Sequence, residues 1–474
     1  MARIGILTLS DGRRRVFDSL EGFCREAEDR LAVALRRIGH DVVRAQKIVG
    51  SADAAVAEAR RIDDMRTDLV VMNIPVWAFP HFTVRAAREV DAALVLFSNV
   101  DPQYPGMVGM LAAAGGLDQV GRRHARVWGD VSDSHVLRTL DVHARAAAAV
   151  AGLRGTTFGR IGGRPMGMYT AVSNPEQWLA QFGVDVEEID QWELVRRSEL
   201  VDATRVRSGR EWLERHAAAV HYDNERLTPE LLERQIRSYH AMRELIDEWD
   251  LAFSGIKAQP ELTDHFATMD ITEAFLNDPY DWEGAKEPHV CSTEADMDAA
   301  LTMQILKSIS GTPVLFADVR HYHEDLGIWD LCNSGQHASW FAARSDDPAE
   351  NMRHVHLYPQ GFYFPAGGAS VQHLAAEGEF TFARLTRAES HYRMHVLRGR
   401  LVQFDVETNE RLMRASTYEW PHAFARLDAT AEELLSRYSS NHIHAVPGDC
   451  VRELKAVCQL LDVNFDGFGS VNGQ

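Results

Sequence analysis

No apolar run in this 474-residue chain reaches the length of about 18 residues that a membrane-crossing helix needs. Cysteine is sparse and scattered: Cys24, Cys291, Cys332, Cys450 and Cys458, with no CxxC pair. An odd, unpaired count argues against a disulfide framework and predicts a reduced, cytoplasmic protein. Basic charge is also short. Lysine and arginine number 50 against 69 aspartates and glutamates, a formal net charge of −19. The cluster Arg13, Arg14 and Arg15 is too short to offset that balance. Nucleic-acid backbone binding is thereby disfavoured as the main task, and an acidic surface slightly favours metal cations. Phosphate-cradling patterns are missing too. GRIGGRPMG at 159–167 fits neither GxxxxGK[ST] nor GxGxxG, and no GxSxG elbow occurs. Repeats and low-complexity tails are absent. Residues 1–10 read as a charged-then-apolar strand rather than a signal peptide.

What is present is ordinary globular material, 45% hydrophobic and 25% charged, in a chain too long for one core. The first third alternates strand-like runs (3–9, 68–74, 92–100) with helical spacing. In 17–37 the apolar positions are Leu20, Cys24, Leu31, Val33 and Leu35. That alternation predicts a parallel sheet covered on both faces. A second α/β stretch begins near Gly155, with tight glycine-rich turns over 155–169, a long helix at 229–249 and strands at 251–256, 290–293 and 314–319. Beyond about Gly311, short β-like runs at 379–385, 392–397 and 401–406 predict an antiparallel region, closed by a helix at 449–461. The boundaries are placed at 1–154, 155–310 and 311–474.

Three places can carry chemistry. In VCSTEADMDAAL (290–301), Glu294 follows a strand end, where α/β sheets place their ligands. Glu294, Asp296 and Asp298 would equally suit a helix's first turn. In LFADVRHYHED (315–325), Asp318 ends an apolar strand, the alternative being a loop acid paired with Arg320. In SSNHIHAVPG (439–448), His442 and His444 face one side if the segment is extended. Histidine ligates transition metals, yet a lone histidine is more often structural, as applies also to His321, His323, His354 and His356. Two carboxylates and a histidine would form an open metal site. Spacing does not establish that they converge.

The ordered motifs RIGILTLSDGRR (3–14), MNIPVW (72–77), GGRPMGMY (162–169), GIKAQPELTDHF (255–266), LNDPYDWEGAKEP (276–288), STEAD, LFADVRHY, CNSG (332–335), YEWPHAF (418–424) and SNHIHAVPG resemble the L-fucose isomerase/D-arabinose isomerase family along nearly the whole chain. The resemblance implies two α/β, Rossmann-like domains, a β-rich C-terminal domain and a homohexamer. It implies that Glu294 and Asp318 bind a metal and serve as proton acceptors, with His442 as the third ligand. Gln259, Ser334, Trp420 and Asn441 fall where the family contacts sugar. Trp77 matches an aromatic from a neighbouring subunit, and Arg13 and Tyr363 are further contacts. The implied metal is Mn²⁺, with Mg²⁺ or Co²⁺ as alternatives.

The expected function is then an aldose–ketose isomerase acting on an open-chain sugar through an enediolate, with no nucleic-acid or membrane partner. L-fucose and D-arabinose are the expected substrates. A differently substituted hexose is the reserve, because the stretch between Asp318 and Asn333 and the loop before His354 are more compact than in the long bacterial members. Epimerisation or aldol cleavage would use the same enediolate. A non-catalytic sugar binder would not need two proton acceptors.

Overall fold

The computed structural model describes residues 1–334 and 337–472. The chain divides into two units, residues 1–152 with 452–461, and residues 153–451 with 462 onward. Among the described residues no helix is long and apolar enough to cross a membrane. The five cysteines are free and buried.

The first unit is built on the continuous apolar runs seen in the sequence. They form a fully parallel five-stranded sheet in the order Asp41–Arg44, Arg3–Thr8, Leu69–Asn73, Ala93–Ser98, Ala125–Trp128. Both faces of such a sheet are buried, so strands such as LVVMN need no alternation. Helix Arg14–Arg37 turns Cys24, Glu28, Leu31, Ala32 and Leu35 inward. Val33, expected on that apolar stripe, lies outside, 63% exposed, because it sits between the inward positions Leu31 and Leu35. The C-terminal helix Val451–Leu461 belongs to this unit.

The second unit holds a four-stranded parallel sheet, ordered Cys291–Thr293, Leu251–Ile256, Thr156–Ile161, Val184–Ile189. Thr156–Ile161 corrects the reading of 155–169 as turns. Its glycine sits within a strand, and the turning begins only at Gly162, with φ +88°. The unit also carries a seven-stranded sheet, antiparallel except where His391–Leu401 pairs parallel with Asn464–Gly467. Long strands Gly378–Ala388 and His391–Leu401 form one hairpin. The expected third run at 401–406 is not a strand. Leu401 closes the hairpin, and Asp405 caps helix Val406–Arg414 through the Thr408 amide. That hydrogen bond offers the backbone a helix start where apolarity alone suggested extension.

Helix Met297–Ser310 joins the two sheets of this unit. It packs against Leu251–Ile256 on one side and against Gly378–Ala388 and His442–Pro447 on the other. Ten of its fourteen residues are buried, including Asp298 and Thr302. Just before it the backbone turns sharply, with Glu294 at φ +58° and Ala295 at φ +45°. The turn lies on Gly255, where a Cβ would come within 2.5 Å of Ser292 Oγ and 2.9 Å of Ala295 Cα. Only glycine lets the strand pass this close to backbone. Gly255→Ala is therefore expected to destabilise the protein by about 1–3 kcal/mol through overpacking, read as a lower urea midpoint. An unchanged midpoint would show that the turn has slack.

Candidate active site

Three elements bring the predicted acids and histidine together. Glu294 leaves the parallel sheet at the end of Cys291–Thr293. Asp318 and His442 lie on adjacent strands, Leu315–His323 and His442–Pro447, and are direct partners in the antiparallel register. Glu294 Oε2 stands 3.1 Å from His442 Nε2, and Asp318 Oδ1 stands 3.5 Å from the same nitrogen. The His442 side chain is fully buried, the Glu294 side chain 9% exposed and the Asp318 side chain 21% exposed, so Asp318 is the most open of the three.

The alternative readings are resolved by position. Asp296, not Glu294, is the helix cap and accepts from the Ala299 amide at 2.9 Å. Asp298 does occupy the first turn, but buried, paired with Arg387 at 3.1 Å and accepting from Ser173 at 2.5 Å. Asp318 does not pair with Arg320. Its oxygens accept from Asn333 Nδ2 and Asn441 Nδ2, each at 3.0 Å, while Arg320 donates to Thr417 Oγ1 at 3.1 Å. His442 and His444 share one strand face, both rings lying against Phe316.

Behind His442 lies a network that sequence reasoning missed. Asp296 Oδ2 meets His442 Nδ1 at 2.7 Å. Arg384, also fully buried, grips both Asp296 oxygens, at 2.9 and 3.1 Å, and donates to the Thr170 carbonyl at 3.1 Å. Burial alone would raise the Asp296 carboxyl, but the Arg384 charge and the His442 hydrogen bond hold it far below the usual carboxylate range. Burial likewise opposes charge on His442, yet Asp296 and Glu294 lift it to about 10. Asp318 is raised, first by burial, with the Glu294 charge adding to it against His442. The signal for this network was an arginine amid the buried run FTFARLT of strand Gly378–Ala388.

The remaining residues fall in several places. Gln259 lies three residues past strand Leu251–Ile256, beyond the same carboxyl end of the sheet as Glu294. Ser334 is buried beside Asn333. Gly335, in the CNSG motif, lies outside the described residues. Trp420 is buried, and Tyr363, 53% exposed, has its ring 6.3 Å from the indole. Arg13 and Trp77 belong to the first unit. Arg13 is paired with Asp11 at 2.6 Å, and Trp77 is half-buried after strand Leu69–Asn73.

Residues 1–155, 242–311 and 331–468 match, in chain order, the first N-terminal, second N-terminal and C-terminal domains of L-fucose isomerase. The chain belongs to the L-fucose isomerase family. The chain is 24% identical to an L-fucose isomerase of Haemophilus influenzae over 97% of its own length and 91% of the relative's. With one of Vibrio vulnificus the figures are 24%, 89% and 84%. With one of Klebsiella pneumoniae they are 26%, 68% and 61%. The family is one of enzymes, the aldose–ketose isomerases.

The buried network yields a prediction of stability. Arg384→Met leaves Asp296 buried without its guanidinium partner, with only His442 and the Ala299 amide still on it. Losing one partner of such a buried pair costs about 3–5 kcal/mol. Urea unfolding should show that loss. A loss under about 1 kcal/mol would mean that the pair is not the anchor argued here.

Proposed function

We propose that this protein is an aldose–ketose isomerase acting on an open-chain sugar at Glu294, Asp318 and His442. The observation that carries the reading is the convergence of two carboxylates from different sheets on one buried imidazole nitrogen. Ionic pairing alone would be served by one of them.

The same atoms suit a divalent cation. His442 Nε2 and Glu294 Oε2 are buried and face each other at 3.1 Å, and neither makes a hydrogen bond to any other described group. No three histidine, cysteine, aspartate or glutamate side chains among the described residues already form an assembled cage. Asp318, the farther donor, is held by its two asparagines. Glu294, Asp318 and His442 would hold the ion, with Mn²⁺ preferred and Mg²⁺ or Co²⁺ as alternatives, since carboxylate-rich sites favour such metals. When bound, it supplies Lewis acidity toward the negative charge that develops on the sugar oxygens.

The chain's own groups carry the proton. A carboxylate of the Glu294–Asp318 pair removes the proton from C2. The C–H electrons form the C1–C2 double bond, and the aldehyde oxygen takes the negative charge. A proton then returns to C1 while the O2 hydroxyl proton passes to O1, so that O2 becomes the ketose carbonyl, O1 becomes a hydroxyl and the product is an isomer. Without a bound cation, burial and the Glu294 charge raise Asp318 above a surface aspartate, and a bound cation would draw it down again. Asn333 and Asn441 fix its two oxygens. Asp296 fixes the imidazole face of His442 that points away from Glu294.

Gln259, Ser334 and Asn441 offer hydrogen bonds to hydroxyls farther along the sugar, and Trp420 and Tyr363 offer flat faces. A polar site rejects the wrong stereoisomer because its own buried groups go unpaired. L-fucose and D-arabinose share their configuration from C2 to C4, so both are expected substrates, with a C6-modified hexose in reserve. Trp77 would complete the site from a neighbouring copy, with Arg13 a further sugar contact, which makes the working form an oligomer, a hexamer by analogy with the family.

A panel of L-fucose, D-arabinose, L-arabinose and D-glucose with Mn²⁺, read by ketose formation, tests the reading. L-fuculose and D-ribulose are expected, and a silent panel overturns it. Chelation should abolish turnover and Mn²⁺ restore it; full activity without metal contradicts the cation. Glu294→Gln and Asp318→Asn should each lower kcat by about 10²-fold or more. A near-normal rate removes that residue from its role. In sedimentation the active species should be larger than a monomer, and an active monomer contradicts the contribution of Trp77.

A further inference from the structure

Trp420 is held from two sides by buried polar groups that the proposed chemistry does not use. On one side, its indole Nε1–H donates to Gln360 Oε1 at 2.9 Å. Indole is only a donor, so the Gln360 amide must present oxygen here and its NH₂ on the other side. There the NH₂ donates to Asp270 Oδ1, a buried carboxylate at the start of helix Asp270–Asn277. Gln360 and Asp270 are both buried.

On the other side, the turn that leads into Trp420 is anchored by His422. The Thr417 carbonyl accepts from the Trp420 amide at 3.0 Å and meets His422 Nε2 at 3.0 Å. His422 Nδ1 meets Asp330 Oδ1 at 2.9 Å, with both side chains fully buried. A carbonyl and a carboxylate both accept, so the ring has a proton on each nitrogen and sits as an imidazolium. Arg320 adds an outer contact, donating to Thr417 Oγ1 at 3.1 Å with its guanidinium 5.1 Å from the Trp420 ring centroid. Phe364 stacks on the same indole at 6.2 Å.

A buried tryptophan usually finds a hydrogen-bond partner for its indole N–H, but that partner need not be backed in turn by a buried carboxylate. Two buried carboxylates, each reaching the tryptophan segment through an intermediary side chain, are a costly arrangement unless the orientation of the ring matters. We propose that Gln360, backed by Asp270, and His422, backed by Asp330, are positioning residues that lock the Trp420 indole in one orientation and thereby set how tightly the sugar is held. This rests on the reading of Trp420 as a wall of the sugar site. None of the four touches the reacting carbons in this account; each acts through Trp420.

The test labels the ten tryptophans with 5-fluorotryptophan and assigns the Trp420 ¹⁹F resonance with Trp420→Phe. Asparagine places its NH₂ near imidazole Nδ1, and glutamine near Nε2. His422→Asn therefore keeps the Asp330 contact and loses Thr417, while His422→Gln does the reverse. His422→Asn and Gln360→Met should each shift or broaden the Trp420 resonance. Each should raise KM for the aldose about tenfold while kcat falls by less than about threefold, as expected when a binding surface and not a reacting group is misplaced. His422→Gln, which keeps Thr417 but not Asp330, should move the resonance part of the way back from its His422→Asn position toward the wild-type one, which a merely structural role would not do. Absence of that recovery removes His422 from the lock. A Trp420 signal or a KM unmoved in Gln360→Met overturns the proposal, and that variant decides alone if His422→Asn does not fold. If the wild-type protein turns over no aldose, the functional reading fails, and the fluorine signals still judge the clamp.

Discussion

The second unit is organised around one buried charge. Asp296 sits at the start of helix Met297–Ser310, with no exposed surface. A carboxylate there is tolerable only if its oxygens are fully occupied. The Ala299 amide, the Arg384 guanidinium and His442 Nδ1 occupy them. Those partners come from the helix itself and from two strands of the seven-stranded sheet. One desolvated group thus ties the parallel sheet's helix to the antiparallel sheet and, in the same stroke, orients the histidine. Stability and site geometry are the same interaction, which is why the histidine's other nitrogen can face Glu294 and Asp318 without swinging away.

Much of the fold was legible because apolar runs and turn residues speak locally. LVVMN, ALVLFS and LAFSGI read as buried strands and are so. The failures were equally physical. Thr156–Ile161 contains a glycine and an arginine and was taken for a turn, but Arg160 is paired with Glu188 and lies within a central strand. At 401–406 apolar content suggested a strand, and a cap at Asp405 decided otherwise. Propensity is a weak prior beside a hydrogen bond that can start a helix.

The site was legible in its donors and not in their support. Strand ends and the alternate histidines pointed to Glu294, Asp318 and His442, and the resemblance to a family joined them. Asp296 reads from the sequence only as an acid suited to a helix's first turn, and its capping position is what aims it at His442. Arg384, Gln360, Asp330 and His422 lie far apart in sequence, and their roles exist only through contacts between strands and loops. Nothing local marks a buried arginine's partner, and nothing in the spacing says which face of a carboxylate is free.

The central claim is that carboxylates move a proton between two carbons of the sugar. The most direct measurement is isomerisation of an aldose carrying deuterium at C2, run in ordinary water, with the label followed into C1 of the ketose. A carboxylate that takes up the C2 deuteron can exchange it with solvent before returning it, so the account predicts ketose that has lost a measurable share of the label. Complete retention of the label at C1, at every extent of conversion and equally in the residual turnover of Glu294→Gln and Asp318→Asn, would match direct hydride transfer between the carbons and would contradict the role given to Glu294 and Asp318.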